Sequence, residues 1–105
     1  MATTLQDFKS DLFRALANPA RIRILEVLRS AGSLTVGDIQ QQVGIEAANA
    51  SQHLSLLRAR GIVEARREGT SVWYSVPEPA IFDLLDTARS IFQKQLVAQA
   101  EMLST

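Results

Sequence analysis

The chain has 105 residues, is 47% hydrophobic and carries 11 basic against 11 acidic side chains, a size that allows one small core which a second copy would help to stabilise. Zero net charge argues against a protein that coats nucleic acid without discrimination, and the lack of cysteine excludes disulfides, thiolate metal sites and thiol redox switches. No apolar run approaches the roughly eighteen residues of a membrane span, and Met-Ala-Thr-Thr lacks the basic and apolar regions of a signal peptide, so a soluble cytoplasmic protein with no membrane contact is expected, residues 1–105 forming a single domain.

Leu5, Phe8, Leu12 and Leu16 recur at helical spacing and predict a first helix over 5–17, with Asp7 in its early turns. Asn18-Pro19 ends it and opens a second, because Asn caps well and proline fits the first helical position. The second helix runs to about Ser30 on Ile22, Leu25, Val27 and Leu28, and stops at Ala31-Gly32. Its Arg21, Arg23 and Arg29 read as solvated, with one able to reach a phosphate. Ser33-Leu34-Thr35 is too short for more than an isolated bridging strand.

The stretch 36–60 reads as two helices about a tight turn. Thr35 caps the first, Val36 to Val43, Asp38 suits its dipole, and Gly44 ends it. The second, Ala47 to Arg60, closes on Gly61. Wound at about 100° per residue, it places Ala50, Leu54 and Leu57 on one face and Ala48, Ser51, Gln52 and Ser55 on another. A short helix, a glycine turn and a longer helix of this kind form a helix-turn-helix, whose second helix enters the DNA major groove. Small residues let the backbone approach, amides pair with adenine, and serine suits several base edges. Taken alone, the same polar face also fits an ordinary solvated helix.

After Gly61, 62–67 and 71–76 read as two strands joined through Glu68-Gly69-Thr70, with Val72, Tyr74 and Val76 alternating inward. A hairpin in this position is the wing of a winged helix, 62–76, and its tip carries Arg66, Arg67, Thr70 and Ser71, groups that suit phosphates or the minor groove. From Ala47 to Val76, Arg58, Arg60, Arg66 and Arg67 stand against Glu64 and Glu68. The final segment, from Pro77 on, reverses the sign, with Arg89 and Lys94 against Glu78, Asp83, Asp86 and Glu101. The basic charge is thus local to the proposed reading head.

Pro77-Glu78-Pro79 stops the hairpin and opens a last helix over 79–103, roughly 37 Å long. Ile81, Leu84, Leu85, Ala88, Ile91 and Phe92, continued by Leu96, Val97, Met102 and Leu103, make an apolar stripe wider than one small domain can cover. A second copy could cover it, with Phe8, Leu12 and Phe13 of the first helix as neighbours. The expected fold is mainly α with a small β-hairpin wing: a winged helix-turn-helix of about five helices, dimerising through the first and last.

The run 16–25 (LANPARIRIL), Val43-Gly44-Ile45 leading to 51–58 (SQHLSLLR), and Gly61-Ile62-Val63 followed by Arg66-Arg67-Glu68-Gly69 resemble, in this order, the ArsR/SmtB family of bacterial winged-helix repressors. The resemblance covers about 5–92. It implies a homodimer binding double-stranded DNA at an imperfect inverted repeat in a promoter and repressing transcription, with contacts at the start and middle of the second helix: Ala47, Ala48, Ser51, Gln52 and His53. Asn49 adds polarity where Ala47 and Ala48 lack it, and Arg58 adds charge. Glu46 stands where the family usually has Ser or Thr as the cap.

The family is best known for metal sensing, and here the sequence departs from it. There is no cysteine, and His53 is the single histidine, lying in the DNA-reading helix. Tight transition-metal sites draw on several thiolates and imidazoles, so no metal and no cofactor are expected. Asp83 and Asp86, three apart on the last helix, read as a solvated acidic face near Arg89. The effector, small molecule or protein, is not specified by the sequence. Two other functions stay open: a winged-helix module that binds protein and has little DNA affinity, and a metal-responsive repressor with an unrecognised site. Catalysis has no support, for there is neither a His-carboxylate motif nor a Gly-rich phosphate loop.

Overall fold

The structure, a computed structural model, describes residues 3–104. It runs α1 (Leu5–Leu16), α2 (Pro19–Ala31), β1 (Ser33–Thr35), α3 (Val36–Val43), α4 (Ala47–Ala59), β2 (Glu64–Glu68), β3 (Ser71–Ser75) and α5 (Ala80–Leu103). The helix limits lie close to those expected because their signals are local. Thr4 Oγ1 accepts from the Asp7 N–H at 3.0 Å while the Asp7 carboxylate accepts from the Thr4 N–H, a capping box that starts α1. Asn18 Oδ1 accepts from the N–H groups of Ala20 and Arg21 at 2.9 and 3.1 Å, with Pro19 in the first turn where no donor is needed. Thr35 caps α3 through the Asp38 N–H, and Gly44, at φ 76°, ends it in the left-handed conformation that glycine adopts without strain.

The three strands pair antiparallel in the order β1-β3-β2. Ser33, Leu34 and Thr35 lie opposite Ser75, Tyr74 and Trp73, so the expected isolated bridge is instead a third strand laid along the free edge of β3. The first wing strand also starts later than expected. The N–H groups of Ile62 and Val63 turn back to the Leu57 carbonyl at 2.9 and 3.5 Å, and both side chains are buried, so this apolar pair plugs the core under the end of α4 and pairing begins at Glu64. Tyr74 and Val76 reach the core as their alternation predicts, whereas Val72 is half-buried near the wing tip.

The core is centred on α2. Ile24, Leu25 and Leu28 are fully buried against Ile39 of α3, Leu54 and Leu57 of α4, and Ile62 and Val63. Each such side chain contributes about 1.5–3 kcal/mol when withdrawn from water, so these contacts fix the tilt of α3 and α4 on α2. Of α5 only the first turns join this core. Ile81, expected on a surface shared with a partner, is buried inside its own protomer, and Leu84 and Leu85 pack there too. From Asp86 onward every described residue of α5 is exposed, and the helix carries the molecule's longest dimension to 61 Å. No helix among the described residues is long and apolar enough to cross a membrane.

Arg23 and Arg29 of α2 are exposed as expected, but two arginines of this helix gain partners. Arg29 holds Asp86 of α5 in a two-pronged ion pair at 2.6 and 2.9 Å and lies 5.2 Å from the centre of the Phe82 ring. Arg21 is half-buried and occupied by backbone carbonyls. Neither change is local, since the partners come from elsewhere in the fold.

Candidate nucleic-acid interface

Helix α4 is held by its apolar face and free on the opposite side. Ala50, Leu54 and Leu57 are at most 1% exposed, which leaves Ala47, Ala48, Asn49, Ser51, Gln52, Ser55 and Arg58 exposed to solvent. Gln52, Ala48 and Ser55 point most directly away from the core, as 100° per residue requires. Arg58 and Ser51 flank this line on one side. The surface is small and uncharged along its centre, which permits close approach to base edges. Glu46 begins the helix and makes no side-chain cap bond.

His53 is placed differently from the rest. It is half-buried on the flank of α4 that faces α1 and α2, and its Nδ1 lies 3.4 Å from Arg21 Nη1. A guanidinium can only donate, so Nδ1 accepts and the neutral ring carries its proton on Nε2. Burial, and then the nearby Arg21 charge, hold the imidazole below the ordinary histidine range. At neutral pH it is therefore uncharged, and its Nδ1 is engaged by protein.

The wing sorts its two arginines onto opposite faces. Register places Arg66 beside Trp73 and Arg67 beside Val72, and successive strand residues point to opposite sides. Arg66 shares its face with Glu68 and contacts that carboxylate at 3.3 Å, both side chains being about two-thirds exposed. Arg67 has no side-chain partner among the described residues. Its face continues through Val72 and Tyr74 to Leu34, and a shallow groove at the start of α3 is lined by Thr35, Val36, Thr70, Ser71, Val72 and Tyr74. Thr70 is exposed at the turn and Ser71 is half-buried.

Of the acids considered for metal, Asp86 is engaged by Arg29, and that bond holds its carboxyl below the usual carboxylate range. Asp83 is exposed on the same helix. No cluster of three His, Asp or Glu side chains is gathered among the described residues.

A helix-turn-helix seated on one apolar face, with a hairpin wing following it, defines a winged helix-turn-helix DNA-binding protein. Residues 16–66 match a helix-turn-helix domain model. The chain is 43% identical over 103 residues to the uncharacterized HTH-type transcriptional regulator Rv0081 of Mycobacterium tuberculosis, covering 94% of this chain and 87% of that one. The crystal structure of Rv0081 superposes with a TM-score of 0.83 over 94% of this chain and 99% of that chain, at 40% identity. A homodimeric winged helix-turn-helix DNA-binding domain from Mycobacterium bovis, Mb0332, described as a possible ArsR-family transcriptional regulator, gives 0.78 at 33% identity, covering 88% of this chain and 84% of that one. A mercury resistance operon repressor of Streptomyces lividans, named as probable, is 39% identical over 84% of this chain and 70% of its own. The chain belongs to the ArsR/SmtB family of winged helix-turn-helix transcriptional regulators. It is a DNA-binding regulator of transcription and not an enzyme.

Proposed function

We propose that the chain represses transcription by binding, as a homodimer, an imperfect inverted repeat in double-stranded DNA. The observation that carries this reading is the free face of α4: Ala48, Ser51, Gln52 and Ser55 form a low, polar ridge on a helix otherwise locked into the core. In this arrangement Ser51 and Gln52 read base edges, with Asn49 and Ser55 beside them, while Arg58, Arg67, Thr70 and Ser71 hold the backbone and Arg66 assists when Glu68 releases it. Ala47 and Ala48 act by being small. His53, engaged by Arg21, supports the helix from behind.

A dimer through α1 and α5 is supported by where the apolar surface lies. Leu5, Phe8 and Phe13 on α1, and Ile91, Phe92, Leu96 and Val97 on α5, are each about half exposed or more, far above what one soluble domain presents by chance on two helices. Leu12 and Ala88 continue the same surface, and Leu84 and Leu85 sit at its edge. A two-fold axis there would pair two copies of α4, matching the two half-sites of an inverted repeat. Selection of bound duplexes from random sequence, followed by footprinting of the enriched site, tests the whole reading. Enrichment of a repeat with half-sites about one helical turn apart supports it; recovery of no preferred sequence, or binding without any salt dependence, overturns it.

A further inference from the structure

Arg21 ties three elements together through one side chain. Its backbone is fixed in the first turn of α2, where its N–H donates to Asn18 Oδ1 at 3.1 Å. From there the guanidinium turns back to the end of α1, Nε donating to the Ala15 carbonyl at 2.6 Å and Nη2 to the Arg14 carbonyl at 3.2 Å. Both carbonyls lie in the last turn of α1, and Arg21 shares that of Arg14 with the Ala17 N–H, which donates to it at 3.2 Å. The remaining arm, Nη1, reaches His53 Nδ1 of α4 at 3.4 Å.

The planar fork makes this a directional joint, since three donors on one rigid group cannot move independently. His53 is also not the only tie on its flank. Arg60, seven residues and nearly two whole turns further along, sits on the same side of α4 and contacts Asp11 of α1 at 3.3 Å. The flank of α4 that faces α1 is thus pinned at its middle by Arg21 and at its end by Asp11. Because α1 carries part of the proposed dimer surface, these ties set the direction of α4 relative to the partner's copy.

We propose that Arg21 is a positioning residue for DNA recognition, acting through His53 to fix the recognition helix against the end of α1 without itself touching the duplex. This rests on the DNA-reading role of α4 proposed above. It adds a chemical condition, because the joint needs an acceptor at His53 Nδ1. A protonated imidazole has none and would place two cations together, so the joint opens when His53 gains its proton. The charged groups lining the adjoining groove between α1, α2 and the end of α4 are Asp11 and Arg14 of α1, Arg21 of α2 and Arg60, which caps α4. Asp11 is shared between Arg14 and Arg60, at 3.4 and 3.3 Å, and Arg21 is the charge that meets the ring, 3.4 Å from Nδ1.

The test uses the full chain and the duplex it selects, with an unrelated duplex of equal length as reference. The ratio of the two affinities cancels the general gain in phosphate attraction that any added positive charge brings. As pH is lowered from 7.5 until His53 has titrated, this ratio should drop about tenfold, and one imidazole signal reports that titration in the NMR spectrum because the chain has a single histidine. Arg21→Met should show the lowered ratio at every pH and raise the His53 titration towards ordinary values. His53→Leu should lose discrimination by a similar factor at pH 7.5. His53→Gln, whose amide oxygen accepts from Arg21 and does not titrate, should recover most of that loss and remove the pH step. If Arg21→Met fails to fold by circular dichroism, the Leu and Gln variants decide. A selected duplex whose discrimination is unchanged by pH, with His53→Leu and His53→Gln indistinguishable, overturns the positioning role alone. Failure of the unaltered chain to select any duplex overturns the DNA-binding reading, and this proposal with it.

Discussion

Arg29 and Asp86 meet in a bidentate ion pair 57 residues apart in sequence, with N···O distances of 2.6 and 2.9 Å, and this pair fastens the base of α5 to the end of α2. The bond keeps the Asp86 carboxyl below its ordinary range and raises the Arg29 guanidinium further. A depressed carboxylate contributes stability above its unfolded value, near 3.9, and loses it as pH falls through the folded value. Asp86→Asn should therefore melt at a slightly lower temperature than the parent at pH 7, and the gap should close as pH drops below about 4. Exposure of both side chains keeps the effect small. Identical melting curves at pH 7 would show that the pair adds nothing to stability.

Reading and holding are separable in the proposed interface. Gln52→Ala should cost roughly 1–3 kcal/mol of discrimination at one base position while leaving the salt slope in place. Arg67→Ala should weaken all duplexes alike and flatten the slope by about one unit. Arg66→Ala should do less than Arg67→Ala, because Glu68 already competes for the Arg66 guanidinium. Binding isotherms at four salt concentrations measure all three; a larger loss from Arg66 than from Arg67 would contradict the opposite-face arrangement.

The α1 and α5 surface should be an interface. Replacing Ile91 and Phe92 together by Glu would place charges on exposed positions whose burial in a dimer is worth about 1.5–3 kcal/mol each, so the variant should sediment as a folded monomer or lose stability. Because both residues are exposed in the protomer, a monomer that keeps its circular dichroism is the expected result. An unaltered chain that is monomeric at micromolar concentration would remove the basis for a two-fold operator.

Metal ions should not control DNA binding by this chain. Zinc, nickel, cadmium or arsenite at low micromolar concentration should leave operator binding unchanged, since the sequence offers no thiolate and one imidazole per copy. Calorimetric titration paired with DNA binding is the measurement. Stoichiometric submicromolar binding that also lowers operator affinity would refute this.

Legibility in the sequence followed the range of each signal. Asn18-Pro19, Gly44 and Gly61 are one-residue statements about backbone geometry, and each marks its boundary in the fold. The alternation that separates Leu54 and Leu57 from Gln52 and Ser55 is periodic, so it survived folding intact. Ile62-Val63 misled because a short apolar, β-branched run suits a strand and a core plug equally, and only the Leu57 carbonyl decides. Ser33–Thr35 became a paired strand because β3 offered an edge, which no local pattern announces. Arg21 and Arg29 were opaque for the same reason, their partners lying on helices that only the fold brings near. The lone histidine gained its meaning from Arg21, 32 residues earlier.

Glu46 opens α4 without bonding back to it, so the amide groups of the first turn have no acceptor supplied by the chain's own side chain. Their hydrogens should exchange with solvent far sooner than those near Leu54 and Leu57, where the same helix is sealed into the core. The reading element is therefore graded along its length, rigid at its root and loosely held at its tip.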